Sequence, residues 1–349
     1  MMACRGTDLF SEIDMLRAEL LHNVEVTADC QRVEEEISQQ DVLTRIENII
    51  LGIVTSLSKD EAPVLALPNR SSWANVSFDS AIGLQMSSGS SVTTIRSDCA
   101  LSVAKFAQIL KILLVIYRLI QSNSYATKRD IYYNNTQLFG SQKTVDGIVD
   151  DISCMLKVPR RSLHVEDGTR IDCNSSSADA TFQRLLDDDF CTKLSPCIII
   201  TGKGVPDVNS RLMVRKLWDT LHIPIFALVD ADPHGIEIMC IYKYGSVAMS
   251  FEAHSLTVPS VMWLGLLPSD LQRLRVPEDA LIPLTRTDEN KLTSLLKRPY
   301  LTSQPDWQKE MELMQQTKVK AEIQSLAAIG PDYLTNIYLP NKLRYGGWV

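Results

Sequence analysis

The sequence predicts a chain of mixed class, α+β in its first half and α/β in its second, and three observations predict it. Three short helical stretches run into a hairpin signal between about residues 98 and 172. A strand–helix–strand–helix pattern, the mark of a parallel sheet, follows residue 180. With 45% hydrophobic and 22% charged residues over 349 positions, the chain has the material for two globular cores. No apolar run approaches the roughly 20 residues of a spanning helix; Ile112 to Ile116 is broken by Tyr117 and Arg118. The first residues lack an apolar leader core, so the expectation is a soluble, intracellular protein with no membrane partner.

Residues 1–58 read as helix in two pieces, with Leu9, Ile13, Leu16 and Leu20–Leu21 in one and Val42–Leu43, Ile46, Ile49–Ile50 and Ile53–Val54 in the other. Such stripes pack within the chain or dock a partner. Residues 59–97, rich in serine and holding Pro63 and Pro68, read as an exposed linker. A helix follows from about Ala100 to Ser122, with Phe106, Leu110, Leu113–Leu114 and Tyr117 on one face. Thr127 and Asp130 form the Thr-x-x-Asp pattern of a helix start. A third helix covers Val145 to Leu156, and after Pro159 the alternation Arg161 to Val165 turns at Glu166-Asp167-Gly168 and returns through Thr169 to Ile171. Helix, helix, helix, hairpin is the order of a winged helix-turn-helix over 98–172, a unit mostly used to hold duplex DNA. In residues 180–349, Cys197 to Thr201 predicts a continuous buried strand and 212–221 a helix. Ile223 to Val229 predicts a second strand, and Ile236 to Tyr244 another helix.

Net charge is −7, but residues 1–98 carry 15 acids against 7 bases, so the remainder is close to neutral. Bulk charge therefore neither marks nor excludes a nucleic-acid partner. Eight scattered cysteines without a Cys-x-x-Cys pair argue for reduced thiols rather than a disulfide framework or zinc site.

Two patterns carry chemistry. Asp230-Ala231-Asp232 follows an apolar strand directly, so both carboxylates project at the carboxyl edge of a parallel sheet, where α/β folds place their sites. Paired hard oxygens there suit Mg²⁺, which keeps its waters and binds through one or two carboxylates. The competing explanation is a helix cap with one solvated carboxylate. Tyr132 and Tyr133 lie on a helix of the helix-turn-helix, behind Arg129 and Asp130. A tyrosine becomes a nucleophile where a base or metal assists loss of its proton; otherwise one tyrosine packs and the other hydrogen-bonds. Of the remaining candidates, His234 suits a loop-positioning role and Lys203 lacks the spacing of a phosphate loop. Arg160–Arg161 suits DNA backbone contact or a solvated surface equally, and Asp187–Asp189 a solvated helix end.

Together, Arg129-Asp130-Ile131-Tyr132-Tyr133-Asn134 and Val229-Asp230-Ala231-Asp232-Pro233-His234-Gly235 resemble the A subunit of archaeal topoisomerase VI and its eukaryotic meiotic relatives. Ile200 to Asp207, Trp263 to Leu266, Lys320 to Gln324 and Leu339 to Lys342 fit the same family, and the resemblance covers about residues 98–349. It implies a winged helix followed by a Toprim-type domain in the nucleus. It further implies a transesterase that breaks both strands of double-stranded DNA to initiate meiotic recombination. Tyr133 takes the nucleophile's position beside Tyr132, and Asp230 and Asp232 take the Mg²⁺ ligands' positions. The resemblance also implies a homodimer in which one protomer's tyrosine meets the other's metal. A partner like the B subunit of topoisomerase VI would act with it, as would other break-forming proteins.

The family's Toprim unit carries a glutamate on its first strand, in Glu-Lys-Asp-Ala-Thr-Phe. Here Ser177-Ala178-Asp179-Ala180-Thr181-Phe182 puts Ser177 at that position, and Cys173 to Ser176 is no apolar strand. The chain thus reads as one without the end of the wing and the first Toprim strand, with Asp179 as a substitute carboxylate. Two further functions follow from the residues: a DNA-binding form that does not cleave, and a small-molecule phosphotransferase using Asp230. The tyrosine pair counts against the second, since a small substrate needs no DNA clamp.

Overall fold

The computed structural model describes residues 37–87, 89–166 and 180–349. The first helical piece of the N-terminal segment, the hairpin's return strand, Ser177 and Asp179 lie outside the described residues. Two hydrophobic cores organise the rest: a helical one spanning Val42 to Val165, and a second built mostly from residues after 180. Among the described residues, no helix is long and apolar enough to cross a membrane.

In the helical core, the helix Gln39–Ser58 buries Val42 and Ile46 against the helix Val103–Gln121. That second helix buries Phe106, Ile109, Ile112, Leu113, Ile116 and Ile120, while Leu114 is exposed and Tyr117 half-buried. Of the expected face, Phe106 and Leu113 are buried, Leu110 and Tyr117 half-buried and Leu114 exposed, so the buried stripe is shifted by part of a turn. The helix is apolar nearly all round, so its neighbours rather than its own periodicity select the inward side. The helix Gln142–Leu156 completes the core through Val145, Ile148, Val149 and Ile152. Beyond Pro159, the expected alternating strand is a turn of 3₁₀ helix, Arg160–Leu163. Arg160 and Leu163 are both buried, and the Arg160 guanidinium lies 3.4 Å from Asp150. Only Val165–Glu166 is strand, paired in parallel with Ala126–Thr127.

Residues 59–97 hold ordered strands rather than an exposed linker. β1 (Val64–Pro68) and β4 (Val92–Arg96) pair antiparallel, as do β2 (Val76–Asp79) and β3 (Gly83–Met86). Leu65, Leu67 and Ile95 face the helical core, whereas Leu84 belongs to the second core. Gly83, at φ 97°, lies so close to Tyr244 that a Cβ would fall 2.4 Å from its carbonyl oxygen. Arg70 ties this segment to the helix Gln142–Leu156, donating to Asp151 at 2.9 Å and to the Gly147 carbonyl at 3.2 Å. Serine-rich composition hid these strands because each buries at most two apolar side chains, and burial comes from two different cores.

With Ala126–Thr127 as β5 and Val165–Glu166 as β6, the second core carries β7 (Phe226–Leu228) and β8 (Met262–Gly265), paired in parallel as expected of an α/β unit. The strand expected over Ile223–Val229 shortens to these three residues. Cys197 to Thr201 is irregular and joins no ladder among the described residues, and Ile198 and Ile200 are exposed. A strand buried on both faces needs sheet neighbours and covering helices; this stretch has one apolar side chain, Ile199, against the core. The helices Val208–Leu221 and Pro233–Tyr244 form where the periodicity places them. Around Tyr244, an aromatic cluster fills the centre: Tyr300 stacks on it at 4.4 Å, and Trp307 meets Trp263 edge to face at 5.9 Å.

The carboxyl-terminal helix Leu339–Tyr345 is fastened by a buried charge. The Asp270 carboxylate accepts from Tyr338 Oη at 2.6 Å and Lys342 Nζ at 2.8 Å, with both ion-pair partners nearly without solvent. It also accepts from Arg273 and from the Leu267 N–H, capping the helix Pro268–Arg273. Burial lowers the Lys342 pKa and raises that of Tyr338. Removing one partner strands a buried carboxylate. Lys342→Met is therefore expected to cost about 3 kcal/mol of stability in urea unfolding, and Asp270→Asn in the same chain to restore part of it. An unchanged midpoint for the single variant would contradict the assignment.

Candidate active site

Tyr133 ends the short helix Lys128–Tyr133, whose start is a complete capping box: Thr127 Oγ1 accepts from the Asp130 N–H at 3.1 Å and Asp130 Oδ2 accepts from the Thr127 N–H at 2.9 Å. Those contacts hold the Asp130 carboxyl below its usual range, the backbone bond contributing most. Asp130 is thus a capping residue that fixes the tyrosines' helix. Lys128 and Ile131 are buried beneath it, and Arg129 is exposed. Tyr132 packs on the helical core and reaches the Gly140 carbonyl at 3.4 Å, whereas Tyr133 is 69% exposed. Their rings lie 5.4 Å apart, tilted by 52°. One tyrosine is structural and the other is presented to solvent.

The two aspartates stand on the other core. Val229 N–H donates to the Gly265 carbonyl at 2.7 Å, and Leu266 N–H donates to the Val229 carbonyl at 2.6 Å, so main-chain bonding continues one residue past β7. Ala231 is fully buried and bridges to Ala321, whose N–H donates to the Ala231 carbonyl at 3.1 Å. Asp230 Oδ1 accepts from the Ile323 N–H at 2.8 Å. Asp232 Oδ1 accepts from the Gly235 N–H at 2.5 Å and caps the helix Pro233–Tyr244. The capping explanation thus holds for Asp232, and it leaves Oδ2 turned toward His234, 3.9 Å from Nδ1. Gly235 is required by close approach: a Cβ there would stand 2.8 Å from the Asp230 carbonyl oxygen.

His234 also lies 3.7 Å from Asp288 Oδ1. Asp288 heads the helix Arg286–Leu296 in a capping box with Thr285 and pairs with Lys320 at 2.9 Å. Burial alone would raise its pKa, but the Lys320 ammonium and the Thr285 donors overcome that and bring it down to about 2. Sequence reasoning missed Asp288 and Lys320 as neighbours of the Asp-x-Asp loop. The Thr285-x-x-Asp288 pattern and the stretch Lys320 to Gln324 were the available signals, but only folding brings them together.

Among the described residues, no group of three or more histidine, cysteine, aspartate or glutamate side chains is arranged to hold a metal ion. Asp230 accepts from the Ile323 N–H and Asp232 from the Gly235 N–H. Two hard carboxylates at a strand end suit an ion that retains water ligands, as Mg²⁺ does. Gly235→Ala should displace Asp230 and the helix start, lowering stability by about 1–3 kcal/mol as an overpacked site does. A thermal melt of the variant matching the parent's would show that the loop has room to give.

Comparison with known proteins covers both segments that carry these residues. Residues 104–165 match the family described as Type IIB DNA topoisomerase, and residues 177–343 match the Toprim domain of the topoisomerase 6 A-subunit/Spo11 family. The chain is 55% identical to the mouse meiotic recombination protein SPO11, with 97% of each chain covered, and 57% identical to the human protein of that name, with 89% of each covered. It is 32% identical to the A subunit of DNA topoisomerase 6 from Arabidopsis thaliana, over 94% of this chain and 86% of that one. The mouse alignment runs over 387 positions, more than the 349 residues here, so that relative carries residues with no counterpart in this chain. The chain belongs to the family of Spo11 and the topoisomerase VI A subunits.

Proposed function

We propose that this protein is a topoisomerase-like DNA transesterase that makes double-strand breaks to initiate meiotic recombination, with Tyr133 as its nucleophile. The observation that carries this is the exposed Tyr133 on a rigidly capped helix, in a chain whose relatives are named meiotic recombination proteins and topoisomerase 6 A subunits. The Tyr133 oxygen bonds to a backbone phosphorus while the bond to the 3′ oxygen breaks. A 5′ phosphotyrosyl link and a free 3′ hydroxyl result, the proton lost by the phenol balancing the one gained by the hydroxyl. Positioning and charge neutralisation dominate such transfers. Asp230 and Asp232 would hold Mg²⁺, which supplies positive charge beside the phosphate. Asp130 fixes the tyrosine's helix, Arg129 is placed to meet the DNA backbone, and His234 holds the metal loop against Asp288.

One tyrosine cuts one strand, so a double-strand break calls for two copies. The location of Tyr133 and the aspartates on separate cores is in keeping with a composite site, one protomer's tyrosine facing its partner's carboxylates. In this proposal residues 98–172 form the DNA-holding winged helix, 180–349 the Toprim domain, and 1–58 a helical segment. Residues 59–97 join the two cores. A partner resembling the B subunit of topoisomerase VI acts with it on meiotic chromosomes in the nucleus, together with other break-forming proteins.

We further infer that the chain lacks the end of the wing and the first Toprim strand. In support, the two family matches end at 165 and begin at 177, the mouse alignment is longer than the chain, and Ser177 replaces the family's glutamate. The metal would then rest on two carboxylates, with Asp179 as a third donor from the sequence alone, and cleavage would be slower than in relatives with the full set.

Tyr133→Phe keeps the ring but removes the attacking oxygen. Covalent protein–DNA adducts, counted by denaturing gel after incubation with duplex and Mg²⁺, should vanish while duplex binding persists; adducts at parental yield would assign the nucleophile elsewhere. Asp230→Asn and Asp232→Asn keep the hydrogen bonds to Ile323 and Gly235, since asparagine also caps helices, yet remove an anionic ligand. Isothermal titration should show Mg²⁺ affinity falling at least about tenfold in each and rising in Ser177→Glu. Equal affinity in both asparagine variants would leave only the capping role.

A further inference from the structure

Residues 319–323 hold the aspartate loop from one side, yet their own attachment is thin. Ala321 bridges to Ala231, and the Ile323 N–H donates to Asp230 Oδ1 at 2.8 Å. Just upstream, the antiparallel ladder of Val319–Lys320 with Ile282–Pro283 is two residues long. Pro283 has no N–H to give to it. One more main-chain bond, from the Leu284 N–H to the Lys318 carbonyl at 2.9 Å, adds to the ladder. So short a pairing is marginal by itself, and side chains must secure it.

Those side chains meet the start of the helix Arg286–Leu296. Lys320 Nζ lies 2.9 Å from Asp288 Oδ2, the two side chains 20% and 4% exposed. Next to it, Lys318 Nζ lies 2.8 Å from Glu289 Oε1, but there the side chains are 55% and 42% exposed. Solvent screens the second pair to near irrelevance, whereas breaking the first leaves a buried carboxylate without its cation. Asp288 is also immobile, because the Thr285 N–H and Oγ1 donate to its Oδ2 at 2.9 and 2.8 Å. The same helix reaches the other half of the loop: Lys291 Nζ donates at 2.7 Å to Glu237, on the helix that Asp232 caps. One helix therefore braces both aspartates, and Lys320 is its grip on the Asp230 side.

We propose that Lys320, through its pair with Asp288, is a positioning residue that keeps the Ile323 N–H on the Asp230 carboxylate and thereby sets how tightly the two aspartates hold a divalent cation. The proposal rests on the reading of Asp230 and Asp232 as Mg²⁺ ligands. Lys320 stands three residues from Ile323, so any slip of the short ladder shifts that N–H away from the carboxylate. Without its donor, Asp230 rotates among side-chain conformers and must be reordered each time a cation binds. Groups that orient metal ligands from behind typically change affinity by about ten- to a hundredfold when removed. The direction is diagnostic. An ammonium carries no lone pair and cannot itself ligate a cation. Acting only as a nearby positive charge it would repel Mg²⁺, and its removal would then strengthen binding.

The test titrates Mg²⁺ into the intact chain calorimetrically and follows hydrogen exchange at the Ile323 amide in metal-free buffer. Lys320→Met should weaken Mg²⁺ binding about ten- to a hundredfold and speed exchange at Ile323. Lys320→Arg, which restores the ion pair, should recover most of both. Lys318→Met, which breaks only the exposed pair beside it, should match the parent in both. Binding by Lys320→Met as tight as the parent's or tighter would overturn the proposal, as would unchanged exchange at Ile323. An equal loss in Lys318→Met would overturn it too, since that would mean general loosening rather than this pair. Asp230→Asn is titrated alongside: if it binds Mg²⁺ as the parent does, the metal site itself fails and the proposal falls with it. A loss in Asp230→Asn with none in Lys320→Met leaves the site standing and removes only Lys320 from it.

Discussion

The end of β7 is the constraint on which the second core depends. Two separate segments fix it: Gly265 and Leu266 of the neighbouring strand by main-chain bonds to Val229, and, from the stretch after β10 (Val319–Lys320), Ala321 by a main-chain bond to Ala231 and Ile323 by its N–H to the Asp230 carboxylate. In sequence, with β9 (Ile282–Pro283) as the partner of β10, these groups lie tens of residues apart. Because backbone groups do the holding, the loop's shape is insensitive to most side-chain changes. The exception is Gly235, where a single added carbon meets the Asp230 carbonyl. A pair of carboxylates is thereby presented on a preorganised frame, which is what a charge-stabilising site requires.

Helix-capping carboxylates recur through the molecule. Asp41, Asp130 and Asp288 each complete a capping box, Asp270 accepts from the N–H of its helix's N-cap residue Leu267, and Asp207 and Asp232 cap helices singly. Five of them do local work or tie two segments. Asp270 shows how far this extends: the same group that caps a six-residue helix pairs with Lys342, some seventy positions later, in a site almost without solvent. Buried pairs of this kind contribute little net stability but make every partner indispensable, since desolvated charge left alone is costly. Asp232 differs because its capping uses one oxygen and leaves the other at the edge of a strand-end loop beside Asp230.

The segment 59–97 connects the tyrosine's core to the aspartates' core. β1 and β4 lie on the first, β3 on the second, and Thr257 donates to the Ile82 carbonyl at 2.7 Å while Arg70 binds the helix Gln142–Leu156. Within one chain Tyr133 and the two carboxylates are therefore built on separate cores joined through an ordered pair of ladders, rather than through a slack tether.

The sequence by itself determined the helices at Val103, Lys128, Gln142, Val208 and Pro233, the capping of Tyr133's helix by Thr127 and Asp130, and the strand-end position of Asp230 and Asp232. Each rests on local patterns of a few residues, periodicity or a four-residue cap, that hydrogen-bond geometry reads directly. Tertiary structure decided the rest. It chose which side of the apolar helix Val103–Gln121 turns inward, because every side was eligible. It converted serine-rich residues 59–97 into strands by offering two cores to cover them. Among the described residues it gave Cys197–Thr201 no ladder despite ideal composition, since a strand is defined by its neighbours and not by its own residues. And it placed Asp288 and Lys320 beside His234, a meeting of residues that no spacing along the chain encodes.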